Sequence, residues 1–272
     1  MFNRIPIVRA YWGTSERAFN EIFPLPVFEN ETVFVWGKES ADLIAARGFK
    51  TVLLGEDPTD PKYSTRDTQY FHKLAVIAEA EKIYSEFIFL DWDSFLVKPL
   101  DDYFYDSLQN GNEVQVPVYA YNDEKYIGIV DLINARRYGD TSNPEHTASP
   151  ALMEYLVGHE DQLRKHSWKY KGSLVTPNFN FCYTRRPGFG QELIDVANQY
   201  EITNCVEEHA MFRWANCSLE EYIEKYEPII LQGTADETRT YLHNFQYEND
   251  AVYKINRYIE SIYPKRIYFK HI

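Results

Sequence analysis

Short apolar runs separated by polar segments set the rhythm of the first hundred residues. Ile5–Gly13 reads as a strand ending in a turn, Glu31–Trp36 as a second strand closed by Gly37-Lys38, and Thr51–Leu54 as a third. Ser40–Arg47 fits a short helix with Gly48 as its stop. A polar loop, Gly55–Tyr63, leads to Ser64-Thr65-Arg66-Asp67, which has the form of a capping box. The helix it opens carries Phe71, Leu74, Ile77 and Ala78 on one stripe, and neither Gly nor Pro interrupts Thr65–Leu90. Phe87-Ile88-Phe89-Leu90 follows. A continuous apolar run this short is the pattern of a strand buried on both faces. Alternating strands and helices predict an α/β fold with a parallel sheet and right-handed crossovers.

Beyond Pro99 the pattern loosens. Leu100–Leu108 reads as a short acidic helix, Val114–Tyr121 as one strand and Tyr126–Ile133 as another, with a loop over residues 139–150. Ala151–Lys165 reads as a helix, and Ser173–Tyr183 as an extended segment. Helices are expected from Pro187-Gly188 to about Tyr200, over Val206–Ala215 and over Leu219–Tyr226. Ile229–Leu231 reads as a late strand, Leu242-His243 follows a polar loop, and Glu248–Ile262 reads as a closing amphipathic helix. No repeat, low-complexity tract or linker-like shift in composition divides the chain. A single domain over 1–272 is expected, with a nucleotide-type half over 1–105 and an α+β half over 106–272.

The apolar run at 87–90 ends in Asp91-Trp92-Asp93. A carboxylate at the carboxyl end of a buried strand lies where open α/β sheets bind ligands. Residues two apart in extended backbone share a face, so Asp91 and Asp93 point together while Trp92 points away. Paired carboxylates repel, and a hard cation such as Mn²⁺ or Mg²⁺, completed by phosphate oxygens, suits an all-oxygen site.

Composition narrows the partners. The net charge of −13 argues against a nucleic-acid polymer, which requires a basic face. The 22 Tyr and 17 Phe supply rings that can stack on sugars and bases. Cys182, Cys205 and Cys217 are odd in number and lack zinc-site spacing, so they read as reduced, mostly buried thiols. With neither a signal-like start nor a membrane-length apolar run, the expectation is a soluble, cytoplasmic protein.

With this strand order and this acidic pair, the chain resembles the glycosyltransferase-A superfamily, over residues 5–105 most closely. The resemblance implies a GT-A-like single domain with a Rossmann-like, mostly parallel central sheet flanked by helices. It implies transfer of a hexose or pentose from a nucleotide-sugar, a UDP-sugar first, to a glycan, glycoconjugate or other hydroxyl acceptor. Compact members without anchors occur in bacterial polysaccharide pathways and in large DNA viruses, where the host cytoplasm would be the location. In such proteins the D-x-D holds Mn²⁺ or Mg²⁺ on the donor diphosphate, so Asp91 and Asp93 are the implied metal ligands, with His243 as a third. Lys73 corresponds to a basic residue facing the nucleotide. Ala10, Tyr11 and Trp12 correspond to the segment lining the base, with Trp36 beside them and Trp92 within the motif. Glu207 or Glu208, at the start of a late helix, corresponds to the catalytic base. The family pattern has Asp there, after a glycine-rich loop for which Gly172 is the nearest match. Asn178 and Asn180 are candidate contacts for acceptor hydroxyls. Two other readings fit an apolar strand running into D-x-D: a haloacid-dehalogenase-type phosphohydrolase, and a non-catalytic carbohydrate- or nucleotide-binding protein.

Overall fold

The computed structural model describes residues 5–12, 31–56, 71–92, 94–96, 100–122, 161–170, 173–203, 205–226, 228 and 269–271. The capping box at 64–67, the segments at 126–133, 139–150 and 229–231, and the closing helix at 248–262 lie outside them.

Among the described residues a six-stranded sheet carries the fold, in the order β3-β2-β1-β4-β10-β6. β1 (Ile7–Tyr11), β2 (Glu31–Trp36), β3 (Lys50–Gly55) and β4 (Phe87–Leu90) run parallel. β10 (Phe181–Thr184) and β6 (Val114–Gln115) add an antiparallel flank. β4 reads as a continuous apolar run, and β1 as one interrupted only by Arg9, because both of their faces are covered. Alternation along the strands divides the core. Val8, Ala10, Phe34, Trp36, Phe87 and Phe89 face one side, while Ile7, Ile88 and Leu90 face the other, with Tyr11, Val33 and Val35.

On the first side lies α2 (Phe71–Ala80), against β1 and against α4 (Phe189–Gln199) and α5 (Val206–Ala215). Being covered on both sides, α2 buries Phe71, Leu74, Ala75, Val76, Ile77 and Ala80. On the second side are α1 (Lys38–Ala46) and α3 (Asp102–Gln109), the latter capped by Asp101, whose carboxylate accepts from Phe104 N. α6 (Leu219–Tyr226) follows α5. Gly48 has φ +93° just past α1, in the left-handed region that favours a glycine stop.

α4 approaches α2 closely at Gly190. A Cβ there would fall within 2.7 Å of Ala78 Cα and closer still to Ala78 N, which is backbone and cannot swing aside. Gly190→Ala should therefore lower stability by about 1–3 kcal/mol, despite the better helix propensity of alanine. A lower urea midpoint with an unchanged slope would show it; an unchanged midpoint would show that the helices slide apart at no cost.

Three expectations are corrected. Val114–Tyr121 is not one strand: β6 ends at Gln115 and β7 (Val118–Asn122) joins a second sheet with β9 (Ser173–Pro177) and β8 (Trp168–Tyr170). Pro117, which has no N–H to donate to a ladder, sits at the break. The extended segment 173–183 is likewise two strands, β9 and β10, parted by a turn at 178–180. The helix leading to the acidic pair ends at Ala80, and a turn over residues 81–86 intervenes before β4. A short pairing of β5 (Ser94–Leu96) with β11 (Phe269–His271) was not expected at all. Among the described residues no helix is long and apolar enough to cross a membrane.

Candidate functional site

Strand order places the site. From β1 the chain steps outward to β2 and β3, then returns past β1 to β4, so the order reverses between β1 and β4. Ligands of open α/β sheets sit in the crevice outside the carboxyl ends of the strands at such a switch point. The residues there are Trp12 after β1, Trp36 ending β2, and Asp91 and Trp92 after β4.

Asp91 is buried, and both its oxygens bond the Lys73 ammonium of α2, at 2.7 Å (Oδ1) and 2.8 Å (Oδ2). The same Nζ lies 3.1 Å from Glu207 Oε1 in the first turn of α5. The Lys73 and Glu207 side chains are 12% and 3% exposed, so water screens this triad little. Burial alone would weaken the charge on Lys73. The carboxylates of Asp91 and Glu207 outweigh that, and the ammonium is held well above its ordinary pKa. Burial pushes the Glu207 carboxyl up, with Lys73 acting against it. Glu207 Oε2 is buried without a hydrogen-bond partner among the described residues. Three residues that the sequence suggests separately are thus one electrostatic unit. Glu208, its neighbour, is only partly buried.

The backbone around Asp91 is held from several directions. Asp91 N donates to Asn180 O (3.2 Å), and Asn180 N donates to Asn178 Oδ1 (2.9 Å). Asn178 is buried, and this bond shapes the turn before β10. From β1, Arg9 Nη1 donates to Asp91 O (2.7 Å) and Trp92 O (3.2 Å), while Arg9 Nε donates to Glu31 Oε1 (2.6 Å). The Trp92 ring leans on Tyr11 (centroids 4.7 Å apart) and, farther off, on Phe49 (6.4 Å), and its Nε1 finds no acceptor among the described residues.

His72 completes an aromatic wall, with its ring 5.2 Å from Trp12 and 5.1 Å from Trp36. Trp36 is almost fully buried; Trp12, half-buried, presents the more accessible ring of the pair. The side chains of Ala10 and Tyr11 are buried on opposite sides of the sheet, so along β1 only backbone and the Trp12 ring remain to line a ligand.

Asp93, Gly172 and His243 lie outside the described residues. The register sets His271 opposite Ser94, one residue past Asp93. Sequence reading passed over that histidine, along with Arg9, Glu31 and His72. Arg9 did carry a signal: a charged residue inside an apolar strand needs a partner. Cys182, Cys205 and Cys217 are free thiols, but only Cys182 is buried, the other two being half-buried.

For a divalent ion the described donors are incomplete. Asp91 brings carboxylate oxygens of the right hardness for Mg²⁺ or Mn²⁺. Both are engaged with Lys73, so a metal there has to share them with the ammonium. Among the described residues no group of three or more His, Cys, Asp or Glu is arranged to hold a metal.

No family model and no curated protein matches this chain. Among solved structures it is similar to mouse xyloside xylosyltransferase 1 in its apo form: 12% identity over 83% of this chain and 84% of that one, TM-score 0.36. It is also similar to the apo bifunctional glycosyltransferase WbbM, at 13% identity over all of this chain but 46% of that one, TM-score 0.41. A third is CMP:2-keto-3-deoxy-manno-octonic acid synthetase complexed with CTP, at 10% identity over 74% of this chain and 83% of that one, TM-score 0.35. These values are too low to carry function from those proteins to this one.

Proposed function

We propose that the chain is a glycosyltransferase that moves a sugar from a nucleotide-sugar, a UDP-sugar first, to a hydroxyl of a glycan or glycoconjugate. The observation that carries this reading is the buried Lys73–Asp91–Glu207 unit at the switch point of the sheet, beside the half-buried Trp12 ring. A nucleoside diphosphate leaving group needs positive charge near its phosphates and a flat apolar surface for its base. Lys73 would bring an ammonium to that position, but its charge is offset by the two carboxylates that fix it, so the net positive charge falls to a bound ion. Trp12, backed by His72 and Trp36, supplies the second. Asp91 and Asp93 would hold Mn²⁺ or Mg²⁺ with His243 or His271, and the bound ion would add charge against the developing diphosphate. Glu208, less buried than Glu207, is the better placed of the two to take a proton from an acceptor.

The test is a thermal-shift panel of nucleotide-sugars with and without Mn²⁺. A ligand at a hundred times its Kd that binds only the native state adds about 2.7 kcal/mol, a readily measured rise in Tm. A UDP-sugar should give the largest rise, and Mn²⁺ should enlarge it. No shift with any nucleotide-sugar, with or without metal, overturns the reading.

A further inference from the structure

We propose that Arg9 is the positioning residue of the diphosphate subsite, tying the backbone of the Asp91–Trp92 turn to the centre of the sheet. The proposal rests on the glycosyltransferase reading and adds to it a residue that never touches the ligand.

Arg9 is fully buried in the middle of β1. Its neighbours on the same side of the strand, Ile7 and Tyr11, belong to two separate apolar clusters, one beneath α3 and one beneath α1. A guanidinium among such residues is costly to desolvate, and an aliphatic side chain would continue the core on both sides. What Arg9 does there follows from where β4 stops. The ladder ends at Leu90, so the carbonyls of Asp91 and Trp92 lie beyond the last residue of β4. Buried carbonyls need donors. Arg9 Nη1 serves both, at 2.7 Å and 3.2 Å, while Nε is fixed by Glu31 Oε1 at 2.6 Å.

The planar fork makes this geometry specific to arginine. One donor edge is spent on β2 and another on the turn, with angles set by a rigid group. β1, β2 and the turn after β4 are thereby locked together directly beneath the carboxylate that holds Lys73. Rotation of the Asp91 or Trp92 peptide would swing that carboxylate out of its place beside Lys73. A lysine at position 9 keeps the charge but gathers its donors on one nitrogen, which cannot stand both where Nε meets Glu31 and where Nη1 meets the two carbonyls.

The experiment compares wild type with Arg9→Lys for binding of UDP in the presence of Mn²⁺ and for binding of uridine, with thermal melting alongside. Arg9→Lys should melt cooperatively and lose about 10–100-fold in UDP affinity, the range for residues that orient ligand-holding groups, while its uridine affinity stays as in wild type. A general loss of structure would lower both affinities together, and that result overturns the proposal, as does an unchanged UDP affinity. If Arg9→Lys does not melt cooperatively, Glu31→Gln replaces it. Glu31→Gln keeps an oxygen for Nε, removes the neutralising charge, and should give a smaller loss confined to UDP; loss of uridine affinity too, or no loss of either, counts against Arg9. Wild type that binds neither UDP nor uridine overturns the functional reading first and this proposal with it, an outcome distinct from a selective test that fails.

Discussion

Lys73→Met is expected to lower the free energy of unfolding by about 3–5 kcal/mol, the usual loss when one member of a buried ion pair is removed. The substitution leaves the Asp91 and Glu207 carboxylates, both largely shielded from water, without the ammonium that bridges them. A neutral control separates this penalty from the worth of the cluster itself. Changing Lys73, Asp91 and Glu207 together to Met, Asn and Gln should recover most of the loss, because a buried ion pair roughly balances its own desolvation. The pH dependence has a definite sign. Lys73 is raised above 10.5 in the folded state, so its contribution is fully present below that pH and fades only as pH climbs through the higher folded value. The gap between wild type and Lys73→Met should therefore hold across the neutral range and narrow in strong alkali. Urea unfolding at several pH values reads all of this. A loss below about 1 kcal/mol, the level of a surface pair, would mean that the ammonium is not confined between the carboxylates.

The second large effect is on chemistry. Asp93→Ala should abolish metal-dependent transfer, by at least about a hundredfold as for other losses of transition-state charge stabilisation, with the melting profile retained. Asp91→Asn should behave differently, because Asp91 also holds Lys73 and bonds to it through both oxygens. That variant should lose both turnover and stability. The contrast would separate the metal-holding role proposed for Asp93 from the additional tie that Asp91 makes to α2. Full turnover in Asp93→Ala would remove the acidic pair from the mechanism.

Much of the sheet was legible because its strands declare themselves locally. Four largely apolar runs gave β1 to β4, and α5 and α6 have the bounds expected, Val206–Ala215 and Leu219–Tyr226. Gly48 marked a true stop. The elements missed are those whose existence depends on a distant partner. Trp168–Tyr170, Ser94–Leu96 and Phe269–His271 are three residues each, too short to show a period, and are strands only by virtue of pairing. At the site the same division holds. Asp91 could be named from local context, and Lys73 and Glu207 only through the family resemblance, while their convergence on one ammonium depends on how α2 and α5 pack. Arg9 was visible as a charge in an apolar strand, but nothing in the sequence points to the carbonyls it serves.

The pairing of Ser94–Leu96 with Phe269–His271 bears on how the protein is made. The strand next to the acidic pair emerges from the ribosome about 170 residues before its partner, and at ~5–20 residues per second it waits for roughly ten to thirty seconds. During that interval the nascent chain already contains β1 to β4, with β5 still lacking its hydrogen-bond partner. The β5–β11 pair would then form as a late step of biosynthesis, after the strands of the central sheet have been made.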